Sequence, residues 1–141
     1  MKRFFLALLA VLPASTLADD ARQPVTMPAE ARAEMRAEML DFQAALHQIV
    51  GALATGKHDE AAAIAEKAMG QSSMGRHRNA PPNARPGMHM PPEMHGIARG
   101  LHASASDFAG IAKSGDTAKS LNALQAVTGA CVACHRAYRI Q

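Results

Sequence analysis

The chain has 141 residues, with 15 Lys and Arg, 12 Asp and Glu, two cysteines and no tryptophan. Two of the basic residues lie in the first three, so residues 19–141 have a formal charge of +1, and no array of basic and aromatic residues indicates a nucleic-acid partner. No Ser/His/Asp set, paired-carboxylate motif or phosphate-binding loop indicates hydrolytic or transferase chemistry. We therefore expect a binding or carrier protein, not an enzyme.

The first 18 residues have the pattern of a secretory signal peptide. Lys2 and Arg3 precede an apolar run over residues 4–12, and small residues follow up to a cleavage site after Ala18. The apolar run is too short to span a bilayer, so we expect no membrane attachment after cleavage. The sequence predicts export to the periplasm of a bacterium, followed by an N-terminal extension over residues 19–27.

Residues 28–141 are predicted to form one all-α domain with four helices. The helices are expected at residues 28–54, 59–69, 92–114 and 117–138. Gly56, Gly70 and Gly115 end the first three helices, and Asp116 caps the fourth. On helix 1 the apolar residues recur in steps of four and three, which is typical of a bundle. The stripe of helix 4 comprises Leu121, Leu124, Thr128, Cys131, His135 and Tyr138.

A long connection over residues 71–91 joins the second and third helices. Its four prolines and two glycines predict an irregular loop. It is rich in methionine and histidine, at Met74, His77, Met88, His89 and Met90, with Met94 and His95 just beyond. Three interpretations remain open. In the first, the loop is a lid over a cofactor, and Arg76, Arg78 or Arg85 lies near acidic groups of that cofactor. In the second, it is a copper site, since thioether and imidazole suit copper. In the third, it is an ordinary solvated loop.

The most informative motif is Cys131-Val-Ala-Cys134-His135. Cys-x-x-Cys-His is the attachment signature of a c-type haem, in which two thiols bond the porphyrin and the imidazole binds the iron. On a helix these three residues share one face. A disulfide, a redox dithiol or half a zinc site would also use Cys-x-x-Cys. Zinc, however, needs further ligands, and a redox dithiol of the thioredoxin type needs a βαβ pattern that is missing here.

The segment from Val127 to Arg139 resembles the C-terminal signature of the cytochrome c′ family, the class II c-type cytochromes. The resemblance implies an up-down-up-down four-helix bundle with one covalent haem c near the C-terminal end of helix 4. It further implies that Cys131 and Cys134 are the thioether sites, that His135 is the proximal iron ligand, and that Arg139 lies near the proximal imidazole. A homodimer through helices 1 and 2 is also typical of this family.

The sixth position on the iron separates two functions. Some members of the family leave it open and bind small gases such as nitric oxide and carbon monoxide, whereas others fill it with a methionine from helix 1. In such a bundle Met35 and Met39 lie at the height of His135. The spacing from Met39 to the start of helix 2 better matches the family's spacing from its distal residue, so the resemblance favours Met39, with Met35 as its rival. We therefore expect an electron carrier with His/Met ligation that serves redox partner proteins. Gas binding is the alternative, and copper handling through the loop is a weaker one.

Overall fold

The computed structural model describes residues 20–141, and four α-helices account for most of them. They are α1 (Ala29–Ala54), α2 (His58–Met69), α3 (Pro92–Ala112) and α4 (Thr117–Ala137). The prediction of an all-α four-helix bundle is confirmed, with each boundary within two residues of the expected one. The predicted signal peptide lies outside the described residues.

The helix ends follow from local chemistry. Gly56 and Gly115 have φ angles of +71° and +76°, the left-handed conformation that closes a helix and that glycine adopts without strain. The Asp116 carboxylate accepts a hydrogen bond from the backbone N–H of Lys119 at 3.0 Å, as an N-cap does. Gly70 ends α2 in an extended conformation, and a methyl group there would collide with the carboxylate of Glu66.

The helices pack in chain order, α1 on α2, α2 on α3 and α3 on α4, whereas α1 and α4 make few direct contacts with each other. Small residues fill much of the core beside a few large ones such as Phe108 and Ile49. The fully buried alanines among them are Ala31, Ala61, Ala65, Ala105 and Ala112. A stripe defined by large apolar side chains alone therefore misses part of the buried surface.

The predicted stripe of α4 is partly wrong. Leu121 is 47 % exposed and His135 is also exposed, while Ser120 and Val127 are fully buried. Ser120 tolerates burial because its hydroxyl donates a hydrogen bond to the backbone carbonyl of Asp116 at 2.7 Å. The buried face thus runs through residues 120, 124 and 127 toward the two cysteines, about 100° from the face that includes Leu121.

Two short strands, which the sequence analysis did not predict, join the ends of the described chain. Strand β1 (Gln23–Val25) pairs in parallel with β2 (Tyr138–Ile140), and Val25 lies opposite Ile140. Helix α4 was expected to reach Tyr138, but it ends at Ala137 because Tyr138 is already extended. The pairing places the start of α1 beside the end of α4, which is the arrangement expected of an up-down-up-down bundle.

The connection between α2 and α3 has local structure. Short 3₁₀ helices occupy Gln71–Ser73, Pro82–Ala84 and Pro86–His89. Prolines lie in the first turn of the second and third of these, where a missing N–H is tolerated. The segment packs against α1 as well as against its own flanking helices.

Candidate haem site

A large cavity lies between α1, the connecting segment, α3 and α4, at the end of the bundle where β1 pairs with β2. Its volume is about 950 Å³, within the range of sites for small molecules and cofactors. Residues from the first and the last helix face each other across it, among them Met35, Met39, Cys131, Cys134 and His135. The cavity accounts for the sparse contact between α1 and α4.

The wall formed by α4 contains the Cys-x-x-Cys-His motif. Both cysteines are free thiols and half-buried. Burial raises the pKa of both thiols, and the neighbouring Cys131 raises that of Cys134 further, so both are protonated at neutral pH. The Cys131 thiol donates to the backbone carbonyl of Val127 at 3.5 Å. His135 lines the same cavity one residue beyond Cys134 and is exposed.

These residues fit the covalent haem that the sequence predicts. Two unpaired thiols and an imidazole line one cavity, which is the donor set that thioether attachment and iron ligation require. The cavity is mostly apolar, with methionine, leucine, isoleucine and alanine side chains on several walls. A disulfide between the two cysteines, one of the alternatives, is not formed in this structure.

The opposite wall contains the two candidate methionines, and they differ in their surroundings. Met35 is 4 % exposed and belongs to a buried cluster with Val25, Met27 and Met94. Met39 is only partly buried, and it touches the edges of this cluster and of the main core. Both side chains line the cavity.

Three polar contacts join the connecting segment to α1. Arg76 donates from Nη2 to Asp41 Oδ2 at 2.8 Å. The imidazole of His77 lies between two carboxylates of α1, with Nδ1 3.5 Å from Glu34 Oε2 and Nε2 3.7 Å from Glu38 Oε2. Since Arg76 and His77 also line the cavity, these contacts hold the segment over it, as the lid interpretation requires.

The methionines and histidines of the connecting segment divide into two groups. Most of them line the cavity, namely Met74, His77, Met88, Met90, Met94 and His95. His89 points elsewhere, with Nε2 3.4 Å from the carbonyl oxygen of Pro82. Within residues 20–141, no three His, Cys, Asp or Glu side chains group closely enough to hold a metal ion. The thioethers that copper could bind thus lie around one cavity, but among these residues no group of three His, Cys, Asp or Glu side chains accompanies them.

Further residues complete the lining of the cavity. The Nδ1 of His102 lies 2.8 Å from the carbonyl oxygen of Met69, and its ring meets Phe42 edge-on. Leu40, Arg36 and Arg99 also line the cavity. Leu40 follows Met39 directly but falls outside the apolar step pattern of α1, so periodicity gave no signal for it.

Arg139, expected near the proximal histidine, lies on β2 and does not line the cavity. Its Nη1 donates to Gln141 Oε1 at 3.1 Å, and its Nε lies 3.7 Å from Asp20 Oδ2. A different arginine is directed at the motif, since Arg22 Nη1 lies 3.5 Å from the carbonyl oxygen of His135. The role of Arg139 beside the imidazole stays a prediction.

Comparison with known proteins agrees with this site. The family model described as Cytochrome C' matches residues 75–139, a range that includes most of the connecting segment, α3, α4 and the whole haem motif. Searches of curated proteins and of solved structures found no match. The four-helix bundle, the motif on the last helix and the family match over residues 75–139 together support membership of the cytochrome c′ family.

Proposed function

We propose that this protein is a one-electron carrier whose covalent haem c has His135 and Met39 as iron ligands. The family match over residues 75–139 supports a c-type haem protein. The observation that supports ligation by His135 and Met39 is that both line one cavity, in which the thiols and imidazole of α4 face the thioether of Met39 on α1.

Each residue has a distinct part in this proposal. Cys131 and Cys134 bond the porphyrin through their sulfurs, and both are free thiols that line the cavity. His135 provides the proximal nitrogen. The haem supplies an iron that changes oxidation state by one electron, and the chain around it sets the potential through ligand type and burial.

Met39 is favoured over Met35 by its packing. Met35 is enclosed by Val25, Met27 and Met94, so drawing its sulfur toward an iron would open a gap in that cluster. Met39 is partly buried and lies at the boundary between the two clusters. Its long, flexible side chain can therefore turn into the cavity with little loss of packing. With Met39 and His135 as its ligands, a haem iron would have a raised reduction potential, which suits an electron carrier.

The surroundings of the cavity also fit a carrier better than a catalyst. Apolar side chains form most of its lining, which suits a hydrophobic cofactor. We place the protein in the periplasm on the strength of the predicted signal peptide and of the family. None of the helices within residues 20–141 is long and apolar enough to cross a membrane.

Gas binding at an open sixth position is the second candidate. Members of this family often bind gases, and Met39 also has the contacts expected of a core-filling residue. The two candidates differ in one property. A carrier with His/Met ligation has a six-coordinate iron that does not react with carbon monoxide, whereas a gas-binding protein has a free position.

The test uses exported protein matured with the haem-attachment machinery, whose mass must first exceed that of the polypeptide by one haem. We expect the reduced wild type to be low-spin and unreactive toward carbon monoxide. Met39→Leu should become high-spin and bind carbon monoxide, and Met35→Leu serves as the matched control that keeps the wild-type spectrum. Carbon monoxide binding by the wild type would favour the gas-binding candidate, and the reverse behaviour of the two variants would make Met35 the ligand.

A further inference from the structure

We propose that the mouth of the haem cavity is the docking surface for a redox partner with an acidic face. The proposal rests on the proposed carrier function, since a gas-binding protein needs no such partner. It comes from an uneven distribution of charge, combined with exposed apolar side chains at the same place.

The charged residues of the mostly apolar cavity lining are almost all basic, unlike those of the rest of the molecule. Residues 20–141 contain 13 Lys and Arg and 11 Asp and Glu. One acidic residue, Glu38, lines the cavity, together with five arginines, Arg36, Arg76, Arg78, Arg85 and Arg99. Eight basic and ten acidic residues lie outside the lining, and two of these acids, Glu34 and Asp41, flank it, so the lining itself has a net positive charge. Such asymmetry orients an approaching charged partner.

Most of these arginines are not neutralised within the chain. Only Arg76 has a carboxylate partner, Asp41, among the residues that the structure describes. Arg78 donates to the backbone carbonyls of Gly75 and Met74 at 3.1 and 3.0 Å, and Arg85 donates to that of Ala80 at 2.6 Å. These bonds position both side chains but leave their charge uncompensated. Even if two arginines pair with the two haem propionates, two of the four unpaired ones remain.

Apolar side chains lie among the arginines. Leu40 and Met88 line the cavity and are 65 % and 61 % exposed, and Ile140 at the same end is 37 % exposed. An apolar centre surrounded by charged groups is the usual composition of a protein–protein interface. All five cations are arginines, whose planar guanidinium binds carboxylates through two parallel hydrogen bonds. The chemistry at the mouth therefore fits a partner that presents Asp and Glu around its own redox centre.

The experiment measures binding of an end-labelled peptide of twenty glutamates to the haem-containing protein by fluorescence anisotropy, with a peptide of twenty lysines as the opposite probe. Arg99→Glu is the test variant, because Arg99 is exposed on α3 and its replacement leaves the core intact. Lys113→Glu is the matched control, since it makes the same change in net charge at the far end of α3.

At low salt we expect the wild type to bind the acidic peptide and to bind the basic one much more weakly, with the affinity falling as salt screens the charges. Arg99→Glu should weaken binding by about fivefold and Lys113→Glu by less than about twofold. Equal losses in both variants, or no preference for the acidic peptide, would overturn the proposal. If Arg99→Glu selectively weakens binding of the acidic peptide but the wild type also binds carbon monoxide, the docking surface is retained and the carrier function is rejected.

Discussion

The contacts that fasten the connecting segment to α1 give a prediction whose size follows from the structure. Asp41→Asn removes the ion pair with Arg76, whose atoms are 2.8 Å apart and whose side chains are 57 % and 37 % exposed. A pair this exposed stabilises by about 0.5–1 kcal/mol. Since the pair forms only when the segment lies on α1, its loss should favour local opening by about two- to fivefold.

Hydrogen exchange measured by mass spectrometry reports this opening directly. Amides of the segment bond to its own carbonyls, such as Arg78 to Gly75 at 2.9 Å and Ala80 to His77 at 3.0 Å, so they exchange only when it loosens. We expect peptides covering residues 75–89 to exchange about two- to fivefold faster in Asp41→Asn. Glu60→Gln is the matched control, because Glu60 also pairs with a cation, Lys57, but on α2. Unchanged exchange in Asp41→Asn, or an equal change in the control, would refute the reasoning.

Two further predictions concern the stability of the bundle. Phe108 is fully buried, so Phe108→Ala should lower the free energy of unfolding by about 3–5 kcal/mol in a denaturant titration. Leu121 is half-exposed, so Leu121→Ala should lower it by less than about 1 kcal/mol. Similar losses in both variants would contradict the described buried face of α4. The hydrogen bond from the backbone N–H of Lys119 holds the pKa of Asp116 in the folded protein below its usual 3.8. The ionised carboxylate therefore stabilises the fold above about pH 4, and this stabilisation is lost as the pH falls through the pKa of the folded state. Asp116→Asn should therefore lose less stability than the wild type on acidification below about pH 4, and parallel pH profiles would exclude this role.

The sequence predicted the elements with strong local signals. Gly56, Gly115 and Asp116 marked helix boundaries because a left-handed backbone and a side-chain cap depend on residue type at one position. The haem motif was equally local, since three residues within one turn define it. These features need no knowledge of what packs against them.

The features that were missed depend on tertiary contacts. Ser120 is buried because its hydroxyl reaches a carbonyl one turn back, and a polar residue type gives no hint of that. The pairing of β1 with β2 joins segments more than 100 residues apart, each only three residues long. The arginines around the cavity come from α1, the connecting segment and α3, so their grouping emerges only once the chain is folded.

The pairing of β1 with β2 has a practical consequence for labelling. Residues 20 and 141 both lie at the cavity end, so a tag or fluorophore joined beyond either one would crowd the haem and any docked protein. The turns at residues 55–57 and 113–116 lie at the other end of the bundle, where Thr117 Oγ1 approaches His58 Nε2 at 3.3 Å. Surface immobilisation through those turns would leave the cavity end free.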